Sequence, residues 1–217
     1  MVKIGYRDII MEYIDKQEVE QLITTEQIVQ FVVKRTGYDD VSVKQAINVN
    51  MARLEKAGLI ARVTKGVYAR RMKTAFGYYT PSKEILYCKQ LLRDNTGIIG
   101  YETGLSILNK IGLVTQIPKR RYIATNLYTK KVPDEYQIEI KKPTIQIDEG
   151  NFRYLQLLDA IRDMDQAPVD AINPNDIVKG IANQFNLNAD RMILMARKYY
   201  NRHTLVKTID IMLGGLE

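Results

Sequence analysis

Residues 44–56 interleave cationic, amide and small apolar side chains: Lys44, Gln45, Asn48, Val49, Ala52, Arg53 and Lys56. Each type has a use at a base-pair edge. Arg or Lys donates to guanine, Asn or Gln donates and accepts at adenine, and a small apolar group such as Val49 touches a thymine methyl. Lys56 closes the run, where a phosphate contact would position the chain without reading sequence. Arg62, Lys65 and Arg70 follow and suit the DNA backbone or an adjacent minor groove. This is the chemistry of recognition rather than of bond-making.

Residues for bond-making are scarce. His203 is the one histidine, which leaves no His-rich metal site and no two-histidine zinc spacing. Neither GxxxxGK[ST] nor GxGxxG occurs. Cys88 is the one cysteine, so no internal disulfide or cysteine-rich zinc site can form, and the residue reads as a core filler. Asp163 and Asp165 stand two apart, which on a helix end points them to different faces. No enzymatic activity, cofactor or metal is expected.

The elements that must position the first set are legible. Residues 6–21 carry Ile9, Ile10, Tyr13 and Ile14 at helical spacing. A second helix from Thr25 has the Thr24/Gln27 spacing of a capping box, a buried face of Ile28, Val29, Phe31 and Val32, and Gly37 to close it. A third begins at Ser42, with Gln45 completing another capping-box spacing. Val43, Ile47, Met51 and Leu54 form its inner stripe, and Gly58 ends it. The period then shortens to two. Residues 59–63 read as a strand, Thr64-Lys65-Gly66 as a tight turn, and Val67–Arg70 as the returning strand. Three short helices and a hairpin predict a winged helix-turn-helix over residues 1–72, with Ser42 at the head of the helix that enters DNA.

Charge is distributed to match. The 32 Lys/Arg and 25 Asp/Glu give a net +7. Residues 42–75 hold 8 basic and 1 acidic side chains, and residues 110–142 hold 8 and 3. The remaining segments are neutral or acidic. A basic segment beside an acidic one predicts one polyanion-facing surface. No run approaches the roughly 20 apolar residues that cross a bilayer. The first 17 residues lack signal-peptide character, so a cytoplasmic protein without a membrane partner is expected.

The run INVNMARLEKAGLIARVTKGVYAR (47–70) resembles the winged-helix segment of AbiEi-type antitoxins from bacterial abortive-infection, type IV toxin–antitoxin systems. The shared positions are Arg53-Leu54, Gly58, Leu59-Ile60 with Arg62, and Gly66-Val67-Tyr68. GYETGLSILNKIGLVTQIPKRRYIATN (100–126) is similar to the core of that family's C-terminal domain, through Tyr101, Gly104, Leu108, Gly112, Gln116, Pro118 and Ala124-Thr125-Asn126. The resemblance implies a transcriptional autorepressor that binds double-stranded DNA at an inverted repeat in its own promoter. It also implies a C-terminal domain that opposes a nucleotidyltransferase-like toxin, without requiring direct contact.

For residues 73–217 the patterns predict a mixed α/β domain ending in helices, so the chain as a whole reads as α+β. Helices are expected over 81–92 and 104–113, strands at 122–124, 136–140 and 144–147, and a helix from Asn151. Three last helices are expected near 176–185, 188–201 and 203–213. Lys110, Lys119, Arg120, Arg121, Lys130, Lys131, Lys141 and Lys142 recur along the middle. Arg191, Lys198 and Arg202, seven and four apart, are placed on one helical face. These define a possible second basic surface for DNA flanks or structured RNA, with dispersed surface lysines as the plain alternative. Three readings stay open on the residues alone: a DNA-binding repressor with an antitoxin domain, an RNA-binding protein that shields a toxin's nucleic-acid target, and a winged-helix module that grips another protein.

Overall fold

A computed structural model describes residues 5–17, 21–38, 40–79, 81–94 and 96–214. The chain is mixed α+β and divides into two compact units, Met1–Lys89 and Gln90–Glu217. The boundary lies 17 residues beyond the expected one at 72, because a second hairpin and most of a helix follow the first hairpin before the division.

In the first unit, α1 (Tyr6–Asp15) buries Ile9, Ile10 and Ile14. β1 (Leu22–Thr24) leads directly into α2 (Thr25–Thr36). The capping box at Thr24 is formed: its Oγ1 accepts from the Gln27 N–H at 3.2 Å, and Gln27 Oε1 accepts from the Thr24 N–H at 2.9 Å. Gly37 closes α2 in the left-handed conformation, with its N–H donating to the Val33 carbonyl. Three residues later α3 (Asp40–Lys56) begins, and β2 (Ile60–Thr64) and β3 (Val67–Arg70) follow. The sheet runs β1-β3-β2 with both pairings antiparallel. Ile10, Ile14, Ile23, Ile28, Val32, Val43, Ile47, Met51, Leu54 and Ile60 fill one core between these elements. β4 (Met72–Thr74) and β5 (Gly77–Tyr79) then make a separate antiparallel hairpin.

The second unit takes up within α4 (Lys83–Leu92), whose first turn is capped by Ser82 Oγ accepting from the Ile85 N–H at 3.2 Å. The short pair β6 (Arg93–Asp94) and β7 (Gly97–Ile98) precedes β8 (Gly100–Glu102), α5 (Gly104–Lys110), β9 (Arg121–Thr125) and β10 (Ile138–Lys141). β9 is central, antiparallel to β8 and parallel to β10. Gly100 is required by packing: a Cβ there would stand 2.1 Å from the Leu91 carbonyl oxygen. α6 (Phe152–Asp163) runs into a 3₁₀ turn and is followed by α7 (Pro174–Gln184), α8 (Ala189–Tyr199) and α9 (Arg202–Leu213). Leu108, Leu113, Ala124, Leu155, Leu158, Ile161, Val178, Met192 and Ile211 form its core.

Several expectations are corrected. α3 starts at Asp40, so Ser42 lies in its first turn instead of capping it; the run Asp-Asp-Val-Ser offers several cap-competent types and sequence alone does not choose among them. α1 ends at Asp15, well before residue 21, and the three-residue β1 that follows is too short to show alternation; residues 18–20 lie outside the described residues. Phe31 is only partly buried and packs on the Tyr13 ring at 5.0 Å. α5 stops at Lys110, three residues early. Thr144–Ile147 forms no strand, because the Asn126 side-chain amide takes both backbone groups of Ile147, each at 2.9 Å, in place of a ladder partner. Arg202 opens α9 after α8 has ended at Tyr199, so it does not continue the face of Arg191 and Lys198.

Two neighbouring positions on α3 test the packing. Met51→Ala is expected to lower the unfolding free energy by about 2–5 kcal/mol. Val49→Ala, on the exposed side, is expected to stay within about 0.5 kcal/mol. Urea denaturation followed by circular dichroism measures both, and equal losses would contradict the assignment of faces.

Candidate nucleic-acid interface

α3 buries Val43, Ile47, Met51 and Leu54 completely or nearly so. Helical geometry then dictates the rest: Lys44, Gln45, Asn48, Val49, Ala52, Arg53 and Lys56 are all exposed on the opposite side, with Ser42 exposed in the first turn. The helix ends sharply. The Leu59 N–H donates to the Leu54 carbonyl at 3.0 Å and the Gly58 N–H to the Glu55 carbonyl at 2.9 Å, the paired bonds of a Schellman stop. Gly58 has φ +71, and an added Cβ would lie 2.8 Å from Arg71 Nη1, so both conformation and space favour glycine. Arg71 Nη1 donates to the Gly58 carbonyl at 2.8 Å and locks the stop.

The β2–β3 hairpin turns tightly at Lys65-Gly66, with Thr64 opposite Val67. Its tip is tied to the start of α2, since the Gly66 carbonyl accepts from the Thr25 N–H at 2.9 Å and from Thr25 Oγ1 at 3.2 Å. Arg62 and Lys65 are exposed. Arg70 is not free for the role expected of it. Its Nη1 donates to the carbonyls of Asp15 and Gln17 at 2.9 and 3.2 Å and it pairs with the Asp15 carboxylate at 3.5 Å, so it closes the end of α1.

Some cations of this unit are held in ion pairs and others are not. Lys16 and Arg35 both pair with Glu12, whose carboxyl is held below the ordinary range chiefly by the Lys16 hydrogen bond and then by Arg35. Among the described residues, Lys44, Arg53, Lys56, Arg62 and Lys65 have no carboxylate partner. Five uncompensated cations on one helix face and the next hairpin can meet an external polyanion without first breaking an ion pair.

The possible second surface is more divided. Lys110 pairs with Glu102 at 3.0 Å and Lys141 with Glu139 at 2.5 Å. Lys142 stands over the Tyr128 ring, Arg191 over Tyr154 and Lys198 over Tyr199. Lys130 contacts Gln90 at 3.4 Å, and burial holds its ammonium below the ordinary lysine range. Lys131 is exposed but has a partner of its own, and Arg202 is exposed. Lys119, Arg120 and Arg121 are consecutive, exposed and without a carboxylate partner among the described residues. Of the second set, this triplet alone forms a compact run of unpaired charge.

The second unit also holds a buried polar network that no local sequence pattern signals. Asp159 on α6 accepts from Tyr101 Oη at 2.9 Å, Thr103 Oγ1 at 3.0 Å and Tyr200 Oη at 2.9 Å, and pairs with Arg162 at 2.9 Å. Burial pushes its carboxyl above the ordinary aspartate range, against the pull of Arg162 and the tyrosine hydroxyls. Burial and the neighbouring carboxyl drive both tyrosines far above the ordinary phenol range, so they remain donors. A cavity of about 510 Å³ opens beside Thr103, Tyr122, Lys142, Asp159 and Arg162. Asp163 pairs with Arg162, while Asp165 is shared by Lys207 and His203; the two aspartates are surface ion-pair partners and do not converge. Cys88 is buried.

The chain belongs to DUF6088, a family of unknown function whose profile matches residues 10–182, from α1 into α7 and so across both units. No curated protein matches the chain.

Asp159→Asn leaves Arg162 without its buried counter-charge and turns an amide N–H₂ toward hydroxyl donors. A stability loss of about 3 kcal/mol is expected. Thermal melting of the variant checks this, and an unchanged melting temperature would mean the network carries no folding energy.

Proposed function

We propose that this protein is a sequence-specific DNA-binding autorepressor whose first unit is a winged helix-turn-helix. The observation that carries the reading is the exposed side of α3, where base-reading types (Gln45, Asn48, Val49, Arg53) stand among cations that no carboxylate neutralises among the described residues. The order α1-β1-α2-α3-β2-β3 and the sheet order β1-β3-β2 support the same layout. In this reading α3 enters the major groove, Lys44 and Lys56 hold phosphates, and Arg62 and Lys65 follow the backbone beyond. Arg70 is left out, being a structural clamp.

The second unit is proposed to be a non-enzymatic antitoxin domain of a type IV, abortive-infection system acting in the cytoplasm against a nucleotidyltransferase-like toxin. Support for this part is the resemblance of residues 100–126 to AbiEi-type antitoxins. A second reading, structured-RNA binding, is favoured by one observation only, the unpaired run Lys119-Arg120-Arg121.

Gel shifts with a duplex from upstream of the protein's own gene and with transfer RNA, across salt concentrations, separate the two. The duplex is expected to shift at lower protein concentration than the RNA. Asn48→Ala or Arg53→Ala is expected to cost about 1–3 kcal/mol and to relax discrimination at one base pair each. Tighter RNA binding, lost on replacing Lys119, Arg120 and Arg121, would favour the second reading instead. No shift of any duplex would overturn the first.

A further inference from the structure

The β4–β5 hairpin has no role in the reading above, yet it is an unusual object to leave in water. Its two-residue loop is Ala75-Phe76, and the Phe76 side chain is fully exposed. Met72, Tyr78 and Tyr79 on its strands are exposed as well. The loop is held by its own bonds: Thr74 Oγ1 accepts from the Phe76 N–H at 3.2 Å and donates to the Gly77 carbonyl at 2.8 Å. The base is fixed to the end of α3, since Arg71 grips the Gly58 carbonyl and also lies 5.4 Å from the Tyr78 ring. A phenyl group is thus presented on a short, braced arm that starts beside Lys56.

Charge says what the arm can meet. From Lys56 to Lys83 the chain carries seven basic residues and no Asp or Glu. Lys73, on the hairpin itself, has no carboxylate partner among the described residues. A second copy docking through the same patch would face like charge across a two-fold contact. A nucleic-acid duplex presents the complementary charge along its backbone and an apolar stack inside it. Apolar side chains on minor-groove-binding proteins enter base steps in this way.

We infer that the β4–β5 hairpin is a second DNA contact, with Phe76 wedged into a base step flanking the site read by α3 and Lys73 on the adjoining phosphates. This rests on the DNA-binding reading of α3. Flexible steps of duplex DNA (TA and CA/TG) all contain thymine, so unstacking there is visible as permanganate reactivity.

The test uses the full-length protein on the upstream duplex, with DNase I footprinting and permanganate probing in parallel. The wild type is expected to give a protected region with one or more hyper-reactive thymines at its edge. Phe76→Ala is expected to keep the protected region, lose the reactive thymines and bind about tenfold more weakly, while Phe76→Leu keeps both signals. If Phe76→Ala matches the wild type in affinity and reactivity while Arg53→Ala weakens protection, the wedge is wrong and the reading of α3 stands. If the wild type protects no duplex, both fall. Loss of self-association in sedimentation, or of binding to anionic phosphatidylserine vesicles, on Phe76→Ala with unchanged DNA binding would also overturn the wedge.

Discussion

The first unit depends on one stripe of apolar side chains. Val43, Ile47, Met51 and Leu54 recur at four, four and three residues along α3, and all are buried against α1, α2 and the sheet. Their burial is worth roughly 1.5–3 kcal/mol each, far more than any single surface contact of the helix. Once that stripe is committed to the core, the helix cannot turn about its axis, and the outward side is fixed without being selected for its own stability. The polar residues there are therefore free to serve an external partner. The Schellman stop at Gly58 and the Arg71 clamp add the second constraint, a defined end from which both hairpins depart.

The second unit is built around a different device. Asp159 gathers hydroxyls from β8, from the residue before α5 and from the link between α8 and α9, together with a guanidinium one turn along α6. Three stretches far apart in sequence, at 101–103, 159–162 and 200, are thereby referred to a single carboxyl. Such a network is strongly destabilising when one member is removed, because the others stay buried without partners. Its geometry suits a structural keystone. Both Asp159 oxygens are occupied within the protein, and Asp163, which also lines the adjoining cavity, is paired with Arg162.

How much of this the sequence carried depended on the range of the interactions involved. The Thr24 capping box, the Gly37 and Gly58 stops and the inner stripe of α3 are set by residues within four positions of one another, and all were legible. β1 was not, because three residues cannot display a period and its pairing with β3 is 45 residues away in sequence (Thr24 opposite Val67 is 43, Leu22 opposite Ala69 is 47). Arg70 looked like a wing residue because its partners, the carbonyls of Asp15 and Gln17, are more than 50 positions away. Asp159 sits on α6 among Leu158, Ala160 and Ile161, and nothing local distinguishes it from a surface aspartate; its hydroxyl partners lie 41 to 58 residues off. Tyr101 and Tyr200 carry no spacing signal for the same reason. The β4–β5 hairpin differs, since its one local cue is Gly77 between the aromatic residues Phe76 and Tyr78.

The central claim is that unpaired cations on α3 and the β2–β3 hairpin contact DNA phosphates and bases. Its most direct test is the salt dependence of duplex affinity, because each phosphate contact contributes about −0.9 to the slope of log K against log salt. The wild type should show a steep negative slope, and Lys56→Gln and Lys65→Gln should each make it shallower by about one while Arg70→Gln leaves it unchanged. A slope that neither Lys56→Gln nor Lys65→Gln alters would contradict the account.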